Sequence, residues 1–445
     1  MPEWTTAYRI RVFNLIWLGQ VISIIGSTLT SFALGVWVYQ NTDSVTQYAL
    51  ISLCTILPAI VISPLAGSLV DRWDRRWVMI ISDSGSGLST LAIAPLLLFG
   101  RLEIWHIYLA AIAASICGAF QMPAYTAMTT LLVPKEYLGR ASGMSQLGLS
   151  VARLISPLLA GLLIETIQMQ GVILLDFTTF LFALLTLLLV RVPNPKTTSA
   201  HQAEKSSLLE EAAYGWNYIM ERPSLLGLLT FFAISNFLVG VIWVLATPLV
   251  LSFTSATVLG IVLSIGGSGM LIGSLVMSAW GGPQRRVEGM LGFSILGGLC
   301  IAIAGLRPSA WLFGVAVFLF FLGRPIIGGC NQVILQKKVA PDVQGRVFAL
   351  SQMIAGAALP LAYLIAGPLA DKVFEPLLAT DGPLAGTIGK LIGVGSGRGI
   401  GLLFVVVGIF TMLTGVAAYQ YPPLRLIEKE LPDAIVDEAE AEIKI

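Results

Sequence analysis

Four ionisable side chains lie in long apolar stretches of the sequence, away from the ends of those stretches: Asp83, Arg153, Asp176 and Arg324. A charge in such a stretch is costly, so each side chain needs an opposite charge, hydrogen-bond partners or a water-filled cavity. Residues that bear this cost are often those that bind a solute or carry a proton. These four residues are therefore the first candidates for a binding or proton-transfer site.

Ion pairs are the simplest way to stabilise three of these charges. Arg153 and Asp176 lie deep in adjacent apolar stretches, and each is the other's expected partner. A purely structural pair and a role in lining a cavity remain open as alternatives. Asp83 follows a basic loop by about two helical turns, and a pair with Arg75 or Arg76 is predicted. For Asp83 we favour a structural role.

Arg324 is predicted to face an internal cavity and to bind an acidic or strongly hydrogen-bonding part of a solute. It lies about halfway along its apolar stretch, where its side chain cannot easily reach either end. Pro325 frees a backbone carbonyl, which is tolerated mainly beside protein or water. The planar guanidinium can hold a carboxylate through two parallel hydrogen bonds, which lysine cannot do.

Polar residues in other apolar stretches are candidates for the same cavity. Each of them could instead form a hydrogen bond between helices. These residues are Gln20, Gln121, Asn236, Asn331 and Gln332.

No residue pattern in the sequence indicates catalysis or a bound cofactor. We find no phosphate-binding glycine-rich loop with a lysine, no zinc-ligand spacing and no nucleophile with a nearby base. The four cysteines fall in apolar stretches and are interpreted as small core residues. With a net charge of +1, the chain also lacks the basic surface that nucleic acid requires. The sequence therefore predicts neither an enzyme nor a nucleotide-driven pump, and no cofactor, metal or nucleic-acid partner.

The composition predicts that membrane-spanning helices position these residues. Of the 445 residues, 56% are hydrophobic and 11% are charged, whereas about 25% are charged in a typical soluble domain. A helix needs roughly 20 mostly apolar residues to cross a hydrocarbon core about 30 Å thick. Twelve segments meet this requirement: 13–40, 47–70, 77–99, 104–131, 141–166, 171–190, 225–251, 256–280, 289–306, 310–335, 347–370 and 399–421. The predicted fold is an all-α polytopic membrane protein with twelve transmembrane helices.

Basic residues predict the orientation of these segments. Most of the 26 Lys and Arg residues fall in alternate loops, and by the positive-inside rule these loops and both termini are cytoplasmic. The first segment follows Arg9 and Arg11 and is too long for the core of a cleavable signal, so we interpret it as a retained helix. The predicted location is the cell (inner) membrane, which the chain crosses many times.

Four regions are predicted along the chain. Residues 1–191 and 225–421 each contain six of the apolar segments. Residues 192–224 begin with a polar stretch that contains two prolines and continue with an apolar stripe at helical spacing, so an amphipathic linker helix on the inner membrane face is predicted. Residues 422–445 form an acidic tail, which we interpret as solvated.

The two sets of six segments are related by an internal repeat. A shift of 206 residues aligns short matches in separate segments: Gly67-Ser68-Leu69-Val70 with Gly273-Ser274-Leu275-Val276, Gly139-Arg140 with Gly345-Arg346, Ser145-Gln146 with Ser351-Gln352, and Ala160-Gly161 with Ala366-Gly367. Six is an even number, so both sets enter the membrane in the same orientation. Such parallel repeats are related by an axis along the membrane normal, and their solute site lies near the bilayer midplane.

The loop after the second segment identifies a known family. It reads Gly67-Ser-Leu-Val-Asp71-Arg72-Trp-Asp-Arg75-Arg76 and resembles the signature loop of the major facilitator superfamily. The resemblance implies a conformational latch in which Gly67 permits close backbone approach, Asp71 meets the positive end of a helix and Arg75 meets a carboxylate. Arg72 and Asp83 belong to the same predicted latch. In the second half Met277 stands where Asp71 stood, so we expect the two gates to contribute unequally.

Two further features resemble parts of this superfamily. The stretch from Arg153 to Gly161 resembles a weakened form of an exporter motif, in which small residues and a proline let helices pack closely. The segment 374–399 resembles an insert of the macrolide-efflux and siderophore-export branch of the superfamily. The residues of the helix-packing motif are Ser156, Pro157, Ala160 and Gly161.

The resemblance implies a monomeric secondary transporter that exports a drug-like or siderophore-like small molecule by proton antiport and alternating access. An importer or a lysophospholipid flippase of the same fold is the nearest alternative. A membrane sensor or scaffold that transports nothing is the alternative of a different class. The expected partners are the lipid bilayer, a small-molecule substrate and a coupling proton.

Asp71 tests the predicted latch. Asp71→Asn removes a charge from a helix-terminus contact worth up to about 2 kcal/mol, so the population should shift toward the cytoplasm-open state. The labelling rate of cysteines placed in the inner vestibule should rise. Met277→Leu serves as the control and should leave that rate unchanged; equal rates in Asp71→Asn and the parent protein would contradict the latch.

Overall fold

A computed structural model describes residues 6–70, 73–134, 137–190, 216–340 and 343–430. Within these ranges the regular structure is helical, and no strand occurs. Eleven helices are long and apolar enough to cross a membrane by length and composition. The all-α polytopic fold predicted from the sequence is therefore confirmed.

The long helices follow one another with short connections. In the first half they are α1 (Thr6–Thr42), α2 (Val45–Val70), α3 (Arg75–Leu91), α4 (Ile104–Leu132) and α5 (Leu138–Leu189), and the short helix Ile93–Leu98 continues α3. In the second half they are α6 (Pro223–Leu251), α7 (Ala256–Trp280), α8 (Arg286–Leu306), α9 (Ala310–Lys338), α10 (Gln344–Leu369) and α11 (Arg398–Gln420). Short helices at Pro422–Arg425 and Ile427–Glu430 follow α11.

Helix α5 accounts for two of the twelve predicted segments. It contains 52 residues, and at 1.5 Å per residue it is more than twice as long as a hydrocarbon core of about 30 Å. Gln168 interrupts it with φ 58° and ψ −179°, which is not helical geometry. The break lies between the predicted segments 141–166 and 171–190, so α5 is long enough to include both and the eleven helices correspond to the twelve predicted segments.

The chain forms two compact units. Unit 1 consists of Met1–Ser199 and Val250–Ser264, and unit 2 consists of Ala200–Leu249 and Ile265–Ile445. A buried cluster in unit 1 contains residues such as Phe13, Met79 and Leu187. A buried cluster in unit 2 includes Ile219 and Met290. Each unit therefore has its own core.

Small residues bring helices into backbone contact in unit 1. A Cβ atom added to Gly161 would lie 2.6 Å from the carbonyl oxygen of Ala256, and one added to Gly260 would lie 2.2 Å from that of Pro157. The Thr257 hydroxyl donates to the Gly161 carbonyl oxygen at 3.0 Å. In the same motif Ala160 is fully buried. Glycine is needed at Gly161 and Gly260 because no side chain fits between the backbones.

The rest of the helix-packing motif lies against α1. The Ser156 hydroxyl is buried and donates to the Ile25 carbonyl oxygen at 3.3 Å. Contacts of this kind are typical of membrane helices, in which hydroxyl groups bind main-chain oxygens of a neighbouring helix. The structure thus places the whole motif at helix contacts within unit 1.

The segment between α10 and α11 is folded rather than extended. The π-helical turn Ala370–Phe374 continues α10, and the short helices Glu375–Leu377 and Gly389–Ile392 follow. The carboxylate of Glu375 accepts the backbone N–H groups of Gly397 at 3.2 Å and Ile400 at 3.0 Å. This side chain therefore satisfies N–H groups at the beginning of α11.

Several sequence predictions concern residues outside the described ranges. Asp71 and Arg72 of the predicted latch lie there, as does the acidic end of the tail. Most of the predicted linker helix also lies outside; the described part resumes with helical residues 216–220. These predictions remain predictions.

Gly260 tests the backbone contact. Gly260→Ala should lower the melting temperature in detergent, since the methyl group would overlap the Pro157 carbonyl and overpacking costs about 1–3 kcal/mol. Gly292→Ala is the matched control, because nothing lies within 4 Å of a Cβ atom at Gly292. The control should be neutral or stabilising by about 0.5–1 kcal/mol, as is usual for replacement of a helical glycine. Equal melting temperatures for the two variants would contradict the close approach.

Candidate functional site

Three polar side chains form a buried cluster in unit 1. The amide of Gln20 on α1 donates to one carboxylate oxygen of Asp83 on α3 at 2.8 Å. The amide of Gln121 on α4 donates to the other carboxylate oxygen and to the Gln20 side-chain oxygen. Asp83 and Gln20 are each only 4% exposed. The cluster joins three helices, and the carboxylate is held by neutral donors.

The predicted pair between Asp83 and a loop arginine is wrong. The Arg76 guanidinium instead donates to the carbonyl oxygens of Leu187 at 2.8 Å and Leu188 at 2.9 Å. These carbonyls end α5, where main-chain oxygens lack helical partners and attract a cation. No ion pair joins Arg75 or Arg76 to Asp83 in the described part of the chain. Arg76 therefore binds main-chain oxygens rather than Asp83.

A second buried carboxylate, Asp176, lies against α1. The Ser27 hydroxyl donates to it at 3.3 Å, and the carboxylate is 4% exposed. A Cβ atom on Gly26 would lie 2.9 Å from an Asp176 oxygen and 2.1 Å from the Thr179 hydroxyl. Glycine at this position therefore allows the two helices to approach.

The expected ion pair between Arg153 and Asp176 is also wrong. Both side chains are described, and no salt bridge joins them. Asp176 is directed toward α1, whereas Arg153 is exposed on α5. The kink at Gln168 lies between the two residues along α5. Their positions in adjacent predicted segments therefore did not bring them together.

Asp74 is a residue of the latch region that was not singled out from the sequence. Its carboxylate accepts the N–H groups of Arg76 at 2.9 Å and Trp77 at 3.3 Å and so caps α3. An aspartate directly before a helix is a standard N-cap signal. The described structure thus contains one acidic contact of the signature loop, while Gly67 lies in the last turn of α2.

Unit 2 contains a cavity of about 500 Å³. Arg324 lines it, together with the predicted residues Asn236, Asn331 and Gln332. The amide nitrogen of Asn236 donates to its own helix, to the Phe232 carbonyl oxygen at 2.9 Å. The side-chain oxygen of Asn331 is buried and has no hydrogen-bond partner among the described residues. The four polar residues that the sequence placed in one cavity are thus together in unit 2.

The cavity is positively charged. Arg324 is the only charged side chain among its described lining residues, and most of the others are apolar. No ion pair or hydrogen bond of the Arg324 guanidinium is found within the described ranges. A guanidinium in apolar surroundings with no acidic neighbour favours a negatively charged or strongly accepting ligand. Gln20 and Gln121, predicted for the same cavity, belong to the Asp83 cluster in unit 1.

Ser351 and Gln352 also line this cavity and were not identified as site residues from the sequence. The internal repeat carried the signal, because it relates Ser351 to Ser145 and Asn331 to Tyr125. In unit 1 the hydroxyl groups of Tyr125 and Ser145 are 3.2 Å apart and share a hydrogen bond. The same pair of positions therefore meets in unit 1 and lines one cavity in unit 2.

Apolar helices of membrane-spanning length, with polar residues buried among them, are typical of a polytopic membrane transporter. The family model of the Major Facilitator Superfamily matches residues 16–363. This chain belongs to the Major Facilitator Superfamily, and the resemblance inferred from the signature loop is confirmed.

Several relatives in sequence are named as bacterial efflux proteins. The chain is 29% identical to macrolide efflux protein A of Streptococcus pyogenes over 378 residues, which cover 81% of this chain and 90% of the relative. It is 30% identical to macrolide efflux protein A of Enterococcus faecalis, with 70% and 97% covered. It is 25% identical to the multidrug efflux pump Tap of Mycobacterium bovis, with 95% and 96% covered.

Solved structures show the same fold. One is a bacterial homologue of the human lysosomal transporter Spinster in an inward-facing, unoccupied conformation, with a TM-score of 0.70, 14% identity, and 95% of this chain and 98% of that chain covered. Another is a bacterial homologue of the iron transporter ferroportin, with a TM-score of 0.67, 13% identity, and 92% and 98% covered. At these identities the similarity concerns the fold alone.

A double-mutant cycle tests the Asp83 cluster. Gln121→Leu leaves the Asp83 carboxylate with fewer donors in a buried site, and hydrogen bonds to charged groups contribute about 1.5–3 kcal/mol. The same substitution should cost much less when Asp83→Leu has removed the acceptor. Unfolding in detergent should therefore give a coupling energy of that size. Additive effects of the two substitutions would contradict the hydrogen bond.

Proposed function

We propose that this transporter exports a small organic molecule from the cell by proton antiport, and that the Arg324 cavity of unit 2 binds the solute. The observation that carries the proposal is the unpartnered guanidinium in that cavity. A half-buried cation that lines a mostly apolar cavity and has no acidic neighbour is costly, and a solute that supplies the missing acceptor would reduce this cost.

The polar residues of the cavity can complete the recognition of such a solute. The free oxygen of Asn331 requires a donor, and the amide of Gln332 and the hydroxyl of Ser351 can donate or accept. The apolar side chains, among them Leu229 and Phe232, suit the carbon skeleton of the solute. Ligand sites of this kind are mostly apolar, with few well-placed polar groups. The proposed substrate is therefore amphiphilic and carries an acidic or strongly accepting group.

Export rather than uptake is supported by the relatives. The macrolide efflux proteins and the multidrug efflux pump, at 25–30% identity, are named as efflux proteins, and a further relative at 26% is named only as a transporter. The motif from Ser156 to Gly161, which resembles an exporter motif, forms tight helix contacts within unit 1. We place the protein in the cell membrane with both termini in the cytoplasm, as the distribution of basic residues predicts.

Proton coupling is assigned to the buried acids of unit 1. Asp83 and Asp176 are enclosed by helices and have hydroxyl and amide partners rather than cations. A carboxylate without a cation partner in a low-dielectric setting can take up a proton at moderate cost. We propose that at least one of them binds the coupling proton during the cycle.

Transport into everted membrane vesicles tests this proposal. Compounds of similar size that carry either a carboxylate or an amine are offered with and without an inside-acidic pH gradient. The proposal predicts accumulation of the carboxylate compounds that depends on the gradient and is lost in a double variant, Asp83→Asn with Asp176→Asn. Uptake that does not depend on the pH gradient would contradict proton coupling. A preference for the amine compounds would contradict the role of the Arg324 cavity.

Arg324 substitutions give a sharper prediction. Arg324→Lys should impair export nearly as much as Arg324→Gln, because the loss of paired, charged hydrogen bonds corresponds to roughly a 10- to 100-fold loss of transport efficiency. Arg307→Gln is the matched control: Arg307 is exposed beyond the end of α8, so export should stay unchanged. Membrane expression should be equal in all variants. Full export by Arg324→Lys would rule out two-point recognition, and failure of both variants to fold would show that Arg324 serves the structure.

A further inference from the structure

Helix α8 lacks a capping residue of its own. It is the third long helix of the second half, as α3 is of the first. Asp74 caps α3, but the residue in the same position before α8 is Arg285, whose side chain provides no cap. The Arg285 guanidinium instead lies 3.2 Å from the Glu288 carboxylate. The repeated loop of the second half has therefore lost the acidic group that satisfies the beginning of the helix.

A carboxylate from the end of the chain occupies this position. The two side-chain oxygens of Glu428 accept the N–H groups of Arg286 at 3.2 Å and Val287 at 3.1 Å. The residues concerned are 142 and 141 positions apart in sequence. A negative group at a helix N-terminus satisfies orphan N–H donors and interacts favourably with the helix dipole. Glu428 thus performs for α8 what Asp74 performs for α3.

The segment that carries Glu428 is anchored from two sides. The ammonium group of Lys338, the last residue of α9, donates to the Glu428 main-chain oxygen at 2.9 Å. Leu424 and Ile427 are 1% and 0% exposed and belong to the same buried cluster as Val287. We call residues 421–430 the C-terminal clasp. It connects the beginning of α8, the end of α9 and the end of α11 within unit 2.

The clasp also supports the loop between α7 and α8 through Arg286. The Arg286 guanidinium donates to the Gly281 carbonyl oxygen at 3.3 Å, and Gly281 and Gly282 have φ values of 76° and 88°. This left-handed backbone is one that residues other than glycine rarely adopt. The position of Arg286 therefore contributes to holding the loop, and Glu428 holds Arg286 through its main chain.

We infer that Glu428 is a positioning residue of the transport cycle: the C-terminal clasp supplies, from the end of the chain, the acidic contact that the repeated signature loop has lost. With the clasp closed, α8, α9 and the loop between α7 and α8 move as one piece. With the clasp open, the first turn of α8 frays and the loop loses its support. The inference rests on the proposed function in one respect: the rate of the transport cycle is measured as the rate of export.

The first experiment separates rate from binding. In the full chain, Glu428→Ala should lower the maximal export rate about tenfold, the effect of about 1.4 kcal/mol, with KM changed less than about twofold, since the solute cavity keeps its residues. Glu428→Gln, which keeps the size but loses the charge and one acceptor, should give an intermediate rate. Lys429→Ala is the control on the same short helix; Lys429 is exposed, and export should not change. A normal rate in Glu428→Ala would overturn the inference.

Rescue distinguishes capping from packing. Arg285→Asp restores a local capping residue, and Glu288 already stands three residues later, as a capping box requires. In the Glu428→Ala background, Arg285→Asp should recover most of the lost rate. A clasp that acted only by covering apolar surface would not be rescued in this way. Failure of the rescue in a well-folded double variant would therefore overturn the role of Glu428.

The labelling rate of a buried cysteine reports whether the clasp is closed and does not require transport. Cys330 is 0% exposed and belongs to the same buried cluster as Ile427. In a chain with Cys54, Cys117 and Cys300 replaced by alanine, maleimide labelling of Cys330 should accelerate about tenfold in Glu428→Ala and return toward the starting rate with Arg285→Asp. If vesicles show no export by the parent protein, the proposed function is contradicted. The labelling rate still tests whether Glu428 holds the clasp closed. An unchanged labelling rate in Glu428→Ala would contradict it.

Discussion

A bilayer offers a polypeptide no hydrogen-bond partner, and this constraint governs the structure. Every buried N–H and C=O group must be satisfied within the chain, so the spanning segments are helices. The main-chain groups that remain are those at helix ends. Three carboxylates serve this purpose at three N-termini: Asp74 at α3, Glu375 at α11 and Glu428 at α8. The first is adjacent in sequence, and the other two come from separate segments.

The same constraint explains how helices and polar side chains combine. Where Gly161 and Gly260 allow backbones to meet, the Thr257 hydroxyl finds a main-chain oxygen as its partner. Asp83 receives donors on both oxygens from two other helices. Arg324 lacks such partners, because its guanidinium has neither an ion pair nor a hydrogen bond within the described ranges. A transporter needs a site where a solute can bind and leave, and we propose the cavity of unit 2 as that site.

The sequence predicted those features that depend on composition and local pattern. Apolar length was sufficient for the spanning segments, including the pair within α5 that Gln168 separates. The signature loop and the repeat were sufficient for the family. The grouping of Asn236, Asn331 and Gln332 with Arg324 followed from their depth in apolar segments. Depth along a helix can be read from sequence because it is a count of residues.

The direction of a side chain around its helix could not be read in the same way. Membrane helices are apolar on nearly all sides, so periodicity does not show which face is inside. For this reason the expected partners of Asp83 and Asp176 were wrong. Both residues are nevertheless buried and hydrogen-bonded, as the cost of burying a charge requires. The contact of Glu428 with α8 spans more than a hundred residues and leaves no local pattern. Partner choice depends on tertiary packing, which a single sequence does not specify.

Protection of the cavity by the transported solute tests the central claim most directly. A single cysteine is placed by Asn331→Cys in a chain whose four native cysteines are alanine, and maleimide labelling is followed as the solute concentration rises. A solute bound in such a cavity has most of its surface buried. Labelling should therefore slow at least about fivefold, with half-protection near the transport KM, while a cysteine placed by Ser274→Cys on an exposed helix face is labelled at an unchanged rate. If a transported solute leaves the labelling of Asn331→Cys unchanged, the cavity of unit 2 is not its binding site.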